Sequence, residues 1–286
     1  GEIGMLNINT NYAASFAANA AKRSQLGLDS AMEKLSSGSR INYAKDDAAG
    51  LALAKRIEKE VQGLAVASRN AADAQSLLDT ADGALGETHN LLLRMRELAV
   101  QSSNGTLQSS DRTALDAEFE QLKAEVDRID TNTKWAGTTL FDGAAKSFQI
   151  GTGNTANDRI TVNIADMSKA IIADIDHDAD ASTAAVESDI STAVAAQATI
   201  AALDGAINTV SAERGEIGAI SNRLSSTVAN LDQIGVNLSA SQARIQDADF
   251  AAETGNLAKN QILQQAATAM LAQANASKGT ILTLIT

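Results

Sequence analysis

The chain has 286 residues with no Cys, no Pro, only eight aromatic residues and a net charge of −12. These values exclude disulfide-stapled modules and thiolate sites, and they argue against nucleic acid or an anionic membrane as a partner, since either needs a basic footprint. Alanine supplies 56 residues and favours helices while adding little apolar area, so the composition predicts an elongated helical assembly without a bulky core.

The N-terminal segment, which we take as residues 1–44, is weakly charged and places Asn and Ser among a few apolar residues. It has no basic region followed by a dense apolar stretch, so no cleavable secretion signal is expected. Apolar runs along the chain are also too short for a membrane span. Such a surface is hard to solvate or bury in a monomer and is typical of segments that contact other copies.

A first long helix is predicted from about residue 45 to 103, where Ser102, Ser103, Asn104 and Gly105 end it, with Gly105 available for a left-handed turn. Its apolar residues recur every seven positions, as in a coiled coil. The predicted core positions on this helix are Ile57, Leu64, Leu78, Leu85 and Leu92.

Two further predicted helices also carry a stripe of regularly spaced apolar residues, which we call the seam of each helix. Residues 109–111 can cap the second helix, and the third is expected to begin near residues 188–191. Their predicted core positions are Leu115, Phe119, Leu122 and Val126 on the second helix, and Ile217, Leu224, Leu231, Leu238 and Ile245 on the third.

Between these two helices, residues 147–150 and 159–164 alternate with period two around a Gly-rich turn, which predicts a β-hairpin. The stretch from Asp166 to Asp189 follows with seven acidic residues and one Lys. It is interpreted as a solvated surface connection.

No catalytic or metal site is expected. Residues 174–180 alternate acids as calcium loops do, but Ala179 and Ala185 stand where such a loop needs Gly and Glu. His89 and His177 lie in different predicted elements, so neither a histidine metal site nor a catalytic triad can be assembled. The sequence therefore predicts a protein that is not an enzyme and has no cofactor.

Several motifs resemble the two signatures of bacterial flagellin, the subunit of the flagellar filament. They are SSGSRIN (36–42), AKDDAAGLA (44–52), RMRELAVQS (94–102), ARIQDADFA (243–251), QAN (273–275) and ILTLI (281–285). The resemblance covers about residues 5–165 and 190–286 and leaves no room for large outer domains, as in a minimal flagellin. Met5 resembles the usual start of the family, so residues 1–4 are expected to be either a native extension or a remnant of cloning.

The resemblance implies a mainly α fold: an elongated antiparallel coiled-coil rod with a short β-hairpin, and N- and C-terminal helices paired in the assembled filament. We therefore expect an N-terminal filament-core segment (1–44), two parts of a rod domain (45–190 and 191–246) and a C-terminal filament-core segment (247–286). Residues expected to pack in the filament core are Leu6, Ile8, Phe16, Leu257, Ile262, Met270 and Leu271.

The resemblance also implies export of the unfolded chain through the flagellar type III secretion channel to an extracellular flagellum. Implied partners are other copies of the chain, an export chaperone, the cap and hook–filament junction proteins, and the flagellin-sensing Toll-like receptor of a host. Arg94, Leu98 and Glu118 align with family positions that neighbouring subunits bury and that this receptor contacts. The alternatives are a hook–filament junction protein, which shares the terminal helices, and a surface adhesin, which would need an outer domain.

Overall fold

A computed structural model describes residues 10–166 and 189–283, with side chains described as far as residue 277. The fold is mainly α, as predicted. Within the described ranges five long helices occur, together with two antiparallel strand pairs. The helices are α1 (Tyr12–Ser37), α2 (Ala48–Ser102), α3 (Ser109–Asn132), α4 (Ala193–Gln246) and α5 (Phe250–Thr283).

The chain forms two compact units. The first contains Gly1–Val61 and Val236–Thr286, and the second contains Gln62–Gly235. The first unit therefore contains the two terminal helices and the adjoining ends of α2 and α4, while the second contains α3 and the strands of the described residues.

In the second unit, α2 runs antiparallel to α4. Polar side chains pair across the two helices, and each successive partner on α4 lies earlier in the chain: Ser68 with Asp232, Gln75 with Ser225, Asp82 with Arg214, and Arg96 with Asp204. Helix α3 runs antiparallel to α2, because Arg112 near its start donates to the carbonyl of Ser102 at the end of α2. The result is a three-helix core in which α2 has a helix on two sides.

Side chains from the strands also belong to this core. Strands β1 (Lys134–Trp135) and β2 (Thr138–Thr139) pair around Ala136 and Gly137, which both have positive φ, as a tight hairpin turn requires. Strands β3 (Ala145–Gln149) and β4 (Arg159–Asn163) form the expected second hairpin. The buried side chains on and beside it include Ile150, Ile160, Val162 and Ile164.

The helices begin and end close to the predicted residues, but the conformation at some of these ends differs from the prediction. Helix α3 begins at Ser109, where Asp111 accepts a hydrogen bond from the backbone amide of Gln108. The expected left-handed turn at Gly105 is absent from the structure. The described glycines with positive φ are Gly38, Gly137 and Gly143, of which Gly38 ends α1. Helix α4 begins at Ala193, slightly later than predicted.

In the first unit, α1 pairs antiparallel with α5. The side chain of Asn11 at the start of α1 donates to the carbonyl of Ala274, and Lys34 near its end pairs with Glu253 at the start of α5. The buried side chains on the two helices are small, namely Ala17, Ser24 and Ala31 on α1 and Ala267 on α5. Because small side chains remove little apolar area from water, this seam is a weak one.

Candidate functional site

Arg94 and Glu118 come together on the surface of the second unit, because α2 and α3 are adjacent and antiparallel. Arg94 donates from Nε and Nη2 to Oε1 of Glu118 at 3.1 and 2.9 Å, and from Nη1 to Oε2 of Glu97 at 3.0 Å. These hydrogen bonds, first to Glu118 and then to Glu97, raise the pKa of the Arg94 guanidinium above its usual value. The cluster stays in contact with solvent and can meet a neighbouring molecule.

Leu98, which the resemblance groups with Arg94 and Glu118 as a contact residue, does not share their exposed surface. The side chain is 1% exposed and belongs to the hydrophobic core. Leu98 lies about 120° around the helix from the seam residue Leu92. Because α2 packs against α3 as well as α4, its buried sector is wide enough to include both leucines. Arg94 lies just outside this sector.

The predicted core positions separate into two groups. Ile57, Leu64, Leu78, Leu85, Leu92, Phe119, Val126, Ile217, Leu224 and Leu231 are buried. Leu115 and Leu122 are half-buried and pack against the core. Leu238 and Ile245 are also only half-buried, which departs from the prediction. Both lie in the first unit, whereas the core cluster that includes α3 and the strands ends at Leu224 on α4.

The large apolar side chains of α1 and α5 lie outside their shared seam. Phe16, Ile262 and Met270 are 69%, 65% and 61% exposed, and Tyr12 and Leu26 are exposed as well. Leu257 and Leu271 are half-buried. Leu6 and Ile8 lie outside the described residues. The terminal helix pair therefore leaves large apolar side chains uncovered on the sides of both helices outside their shared seam. We call these residues together the outer face of α1 and α5: Tyr12, Phe16, Leu26, Met32, Ile262, Leu263 and Met270.

One anchoring contact has no signal in the sequence pattern. Ile190, before α4, is fully buried, its amide donates to Oδ1 of Asp116 at 2.9 Å, and its carbonyl accepts from the Ser102 hydroxyl. The contact joins three segments that are far apart in the chain. Periodicity within a single helix cannot reveal such a contact.

The remaining candidates from the sequence are the two histidines and the alternating acidic residues. His89 is half-buried on α2, whereas His177 and the alternating acids of residues 174–180 lie outside the described residues. In the parts of the chain that the structure covers, no three His, Cys, Asp or Glu side chains converge as metal ligands would. Among the helices described, none is both long and apolar enough to cross a bilayer.

Two protein-family models match the chain in consecutive regions. The one described as the bacterial flagellin N-terminal helical region matches residues 8–146, and the one described as the bacterial flagellin C-terminal helical region matches residues 200–285. These matches cover α1 to α3 with the first strands, and most of α4 with α5.

Individual relatives resemble the chain over most of its length. A flagellin of Halalkalibacterium halodurans is 42% identical over 255 residues, which cover 89% of this chain and 90% of the relative. A flagellin of Bacillus subtilis strain 168 is 40% identical over 307 aligned residues, which cover 98% and 100%. A solved structure from Vibrio parahaemolyticus, described as a flagellar hook-associated protein, covers 71% of this chain with a TM-score of 0.56. At 15% identity it shares the fold alone.

Proposed function

Since the chain belongs to the bacterial flagellin family, whose members polymerise into the extracellular flagellar filament, we propose that its filament is the helical propeller for swimming. The subunit contributes no chemistry to this role. It contributes surfaces that bind other copies of itself and a folded second unit that transmits force.

The outer face of α1 and α5 is the observation that carries this proposal. Phe16 and Ile262 are large apolar side chains on helices whose own seam buries only small residues. Burying such exposed apolar side chains against a partner is favourable. A second copy of the chain supplies matching apolar surface, so assembly covers on both partners what one chain leaves exposed. Leu257, Leu271 and Met270 belong to this proposed filament core, as do Leu6 and Ile8.

The composition supports export in the unfolded state through the flagellar type III secretion channel. A chain without Cys forms no disulfide, and a chain without Pro has no slow prolyl isomerisation to delay refolding after transit. The weak seam between α1 and α5 also lets the ends unfold at low cost. An export chaperone, the cap and the hook–filament junction proteins are the partners that this route needs.

Arg94 and Glu118 are proposed as a contact between subunits in the filament and, on the free subunit, as a contact for the flagellin-sensing Toll-like receptor. Their support is the exposed, directional arrangement of guanidinium and carboxylates. Leu98 is not part of this surface because it is buried.

A hook–filament junction protein is the second candidate, because its terminal helices and export route are similar. The likeness to the Vibrio parahaemolyticus structure concerns the fold and does not favour that role. Identity of 40% along nearly the whole length of a flagellin favours the filament subunit.

Electron microscopy of the purified protein after salt-induced assembly tests the proposal. Filaments that lengthen with added subunits are expected. Short rings that stop growing would support the junction role, and a protein that stays monomeric under all salt conditions would contradict both. A strain with this chain as its sole flagellin should swim, and the same strain carrying an early stop codon should not.

A further inference from the structure

The sulfur chemistry of this chain is confined to methionine. It has five methionines and no cysteine, so no thiol competes with the thioethers for a mild oxidant. Three methionines have described side chains: Met32 on α1, Met95 on α2 and Met270 on α5. Their environments differ strongly.

Met32 is 54% exposed and Met270 is 61% exposed, whereas Met95 is completely buried in the core of the second unit. Met270 lies about 90° around α5 from the centre of the seam with α1, and Leu263, seven residues earlier, shares its exposed side. Met32 is adjacent in sequence to the buried seam residue Ala31 and points away from it. Both thioethers are therefore exposed and lie outside the seam between α1 and α5.

We propose that Met32 and Met270 are sites of reversible oxidation by peroxide, and that their oxidation keeps the subunit out of the polymer. The sulfur lone pair attacks one oxygen of hydrogen peroxide, the S–O bond forms as the O–O bond breaks, and water leaves. The thioether loses two electrons to the peroxide and becomes a sulfoxide. A thiol-dependent methionine sulfoxide reductase returns it to the thioether.

The expected consequence follows from polarity. A sulfoxide is polar and chiral, and an apolar contact between copies excludes the water that solvates it. Neither Met32 nor Met270 lies in the α1–α5 seam or in the core of the second unit. Their oxidation should therefore leave the fold of the single chain unaffected. Once the outer face is covered by neighbouring subunits, the same thioethers are shielded. The free subunit is thus the oxidation-sensitive form.

The experiment treats free subunits and preformed filaments with hydrogen peroxide and measures sulfoxide at each methionine by peptide mass spectrometry. Met32 and Met270 should oxidise at least ~10-fold faster than Met95 in the free subunit, and more slowly in filaments. Oxidised subunits should retain their melting temperature and show reduced assembly, followed by light scattering and electron microscopy.

Variants identify the responsible sulfurs. Leucine has nearly the volume of methionine and is not oxidised, so peroxide should cause no further loss of assembly in a Met32→Leu/Met270→Leu double variant when it is compared with the same variant left untreated. The matched control Met95→Leu should remain peroxide-sensitive. If the double variant lost assembly after peroxide as the wild type does, the proposal would be wrong, and Met5 or Met167 would be the sensitive residue.

Reduction provides a second readout that needs no variant. Incubating oxidised wild-type subunits with MsrA, MsrB and a thiol should restore assembly, and failure to restore it would overturn the proposal. The inference depends on the proposed polymerisation, but the two fail differently. Untreated protein that never forms filaments contradicts the function, whereas oxidised protein that assembles normally contradicts only the oxidation proposal.

Discussion

Arg94 on α2 donates two hydrogen bonds to a single carboxylate oxygen of Glu118 on α3, at 3.1 and 2.9 Å. Both side chains remain about half exposed, so water and salt screen their attraction in the free subunit. A neighbouring molecule that covers the pair removes this screening and strengthens the interaction. The pair therefore contributes little to holding one chain together, which agrees with the contact between molecules that we propose for it.

Arg94→Ala should leave the melting curve of the free subunit nearly unchanged, because an exposed ion pair contributes little to stability. Filament formation and motility should be impaired, and activation of the Toll-like receptor should weaken. Arg128→Ala is the matched control, since Arg128 pairs with Glu125 within a single turn of α3, and it should assemble normally. An Arg94→Ala protein that melted much earlier yet assembled and swam normally would place Arg94 in the internal structure of the chain.

Leu231 tests the seam of α4. The side chain is buried in the second unit, and removing a large buried aliphatic group costs about 2–5 kcal/mol through lost burial and the cavity that remains. Leu231→Ala should lower the free energy of unfolding by that amount in urea denaturation, and Leu231→Asp should lower it further. Val236→Asp changes an exposed position on the same helix and should have little effect. Equal stability of Leu231→Asp and wild type would contradict the seven-residue seam.

The seven-residue spacing predicted much of the core because burial along a long helix is a local property. Leu78, Leu85 and Leu224 are buried where the pattern placed them. The same spacing failed at Leu98, because a single-helix pattern does not show how many helices surround it. The turn at Ala136 and Gly137 was also missed, since nothing in its sequence marks an Ala with positive φ. The outer face of α1 and α5 was anticipated only as a surface that awaits other copies, without its side-chain arrangement.

Ile190 illustrates a contact that only the three-dimensional structure reveals, and it can be tested directly. Its side chain is fully buried while its backbone bonds to Asp116 and Ser102. Ile190→Ala should destabilise the protein by about 2–5 kcal/mol, measured by thermal and urea unfolding. Val194→Ala, at an exposed position in the first turn of α4, should be nearly neutral. Similar unfolding curves for both variants would show that Ile190 does not anchor this segment.

Asp158 gives the turn between β3 and β4 a dependence on pH. Its carboxylate accepts hydrogen bonds from the Thr155 hydroxyl and from the amides of Thr155 and Gly153. These bonds, led by the hydroxyl, lower its pKa below the ordinary value of 3.8. Because the pKa of Asp158 is lower in the folded state, the ionised carboxylate stabilises the turn fully at pH values well above 3.8. This stabilisation is lost as the pH falls through the lower pKa of the folded state.

Acidification should therefore loosen this turn only below about pH 4, and the protection of the Thr155 and Gly153 amides, measured by NMR and corrected for their intrinsic exchange rates, should fall there. Asp158→Asn should already have lower protection at neutral pH, because Asn keeps only one accepting oxygen where the carboxylate uses two. Asp142→Asn is the control, since its carboxylate accepts from Lys146 and from the amide of Ala144, outside this turn. Protection of both amides that is unchanged in Asp158→Asn would contradict the role of the carboxylate.

The terminal helix pair gives the last prediction. Helix α5 contacts α1 through small side chains such as Ala31 and Ala267, and each residue that is ordered costs roughly 1–2 kcal/mol of backbone entropy. That burial is too small to offset the cost in an isolated subunit. We therefore expect the ends to depend on neighbouring copies that cover Phe16, Ile262 and Met270.

Removing residues 247–286 deletes α5 and leaves the second unit, Gln62–Gly235, with its core complete. The shortened protein should be soluble, should melt near the wild-type temperature by circular dichroism, and should not polymerise at any salt concentration. Full-length protein purified in parallel is the control for assembly. Filaments formed by the shortened protein would show that α5 is dispensable for polymerisation. A large drop in its melting temperature would instead show that α5 stabilises the free subunit, because the ends would then contribute burial before any neighbour is present.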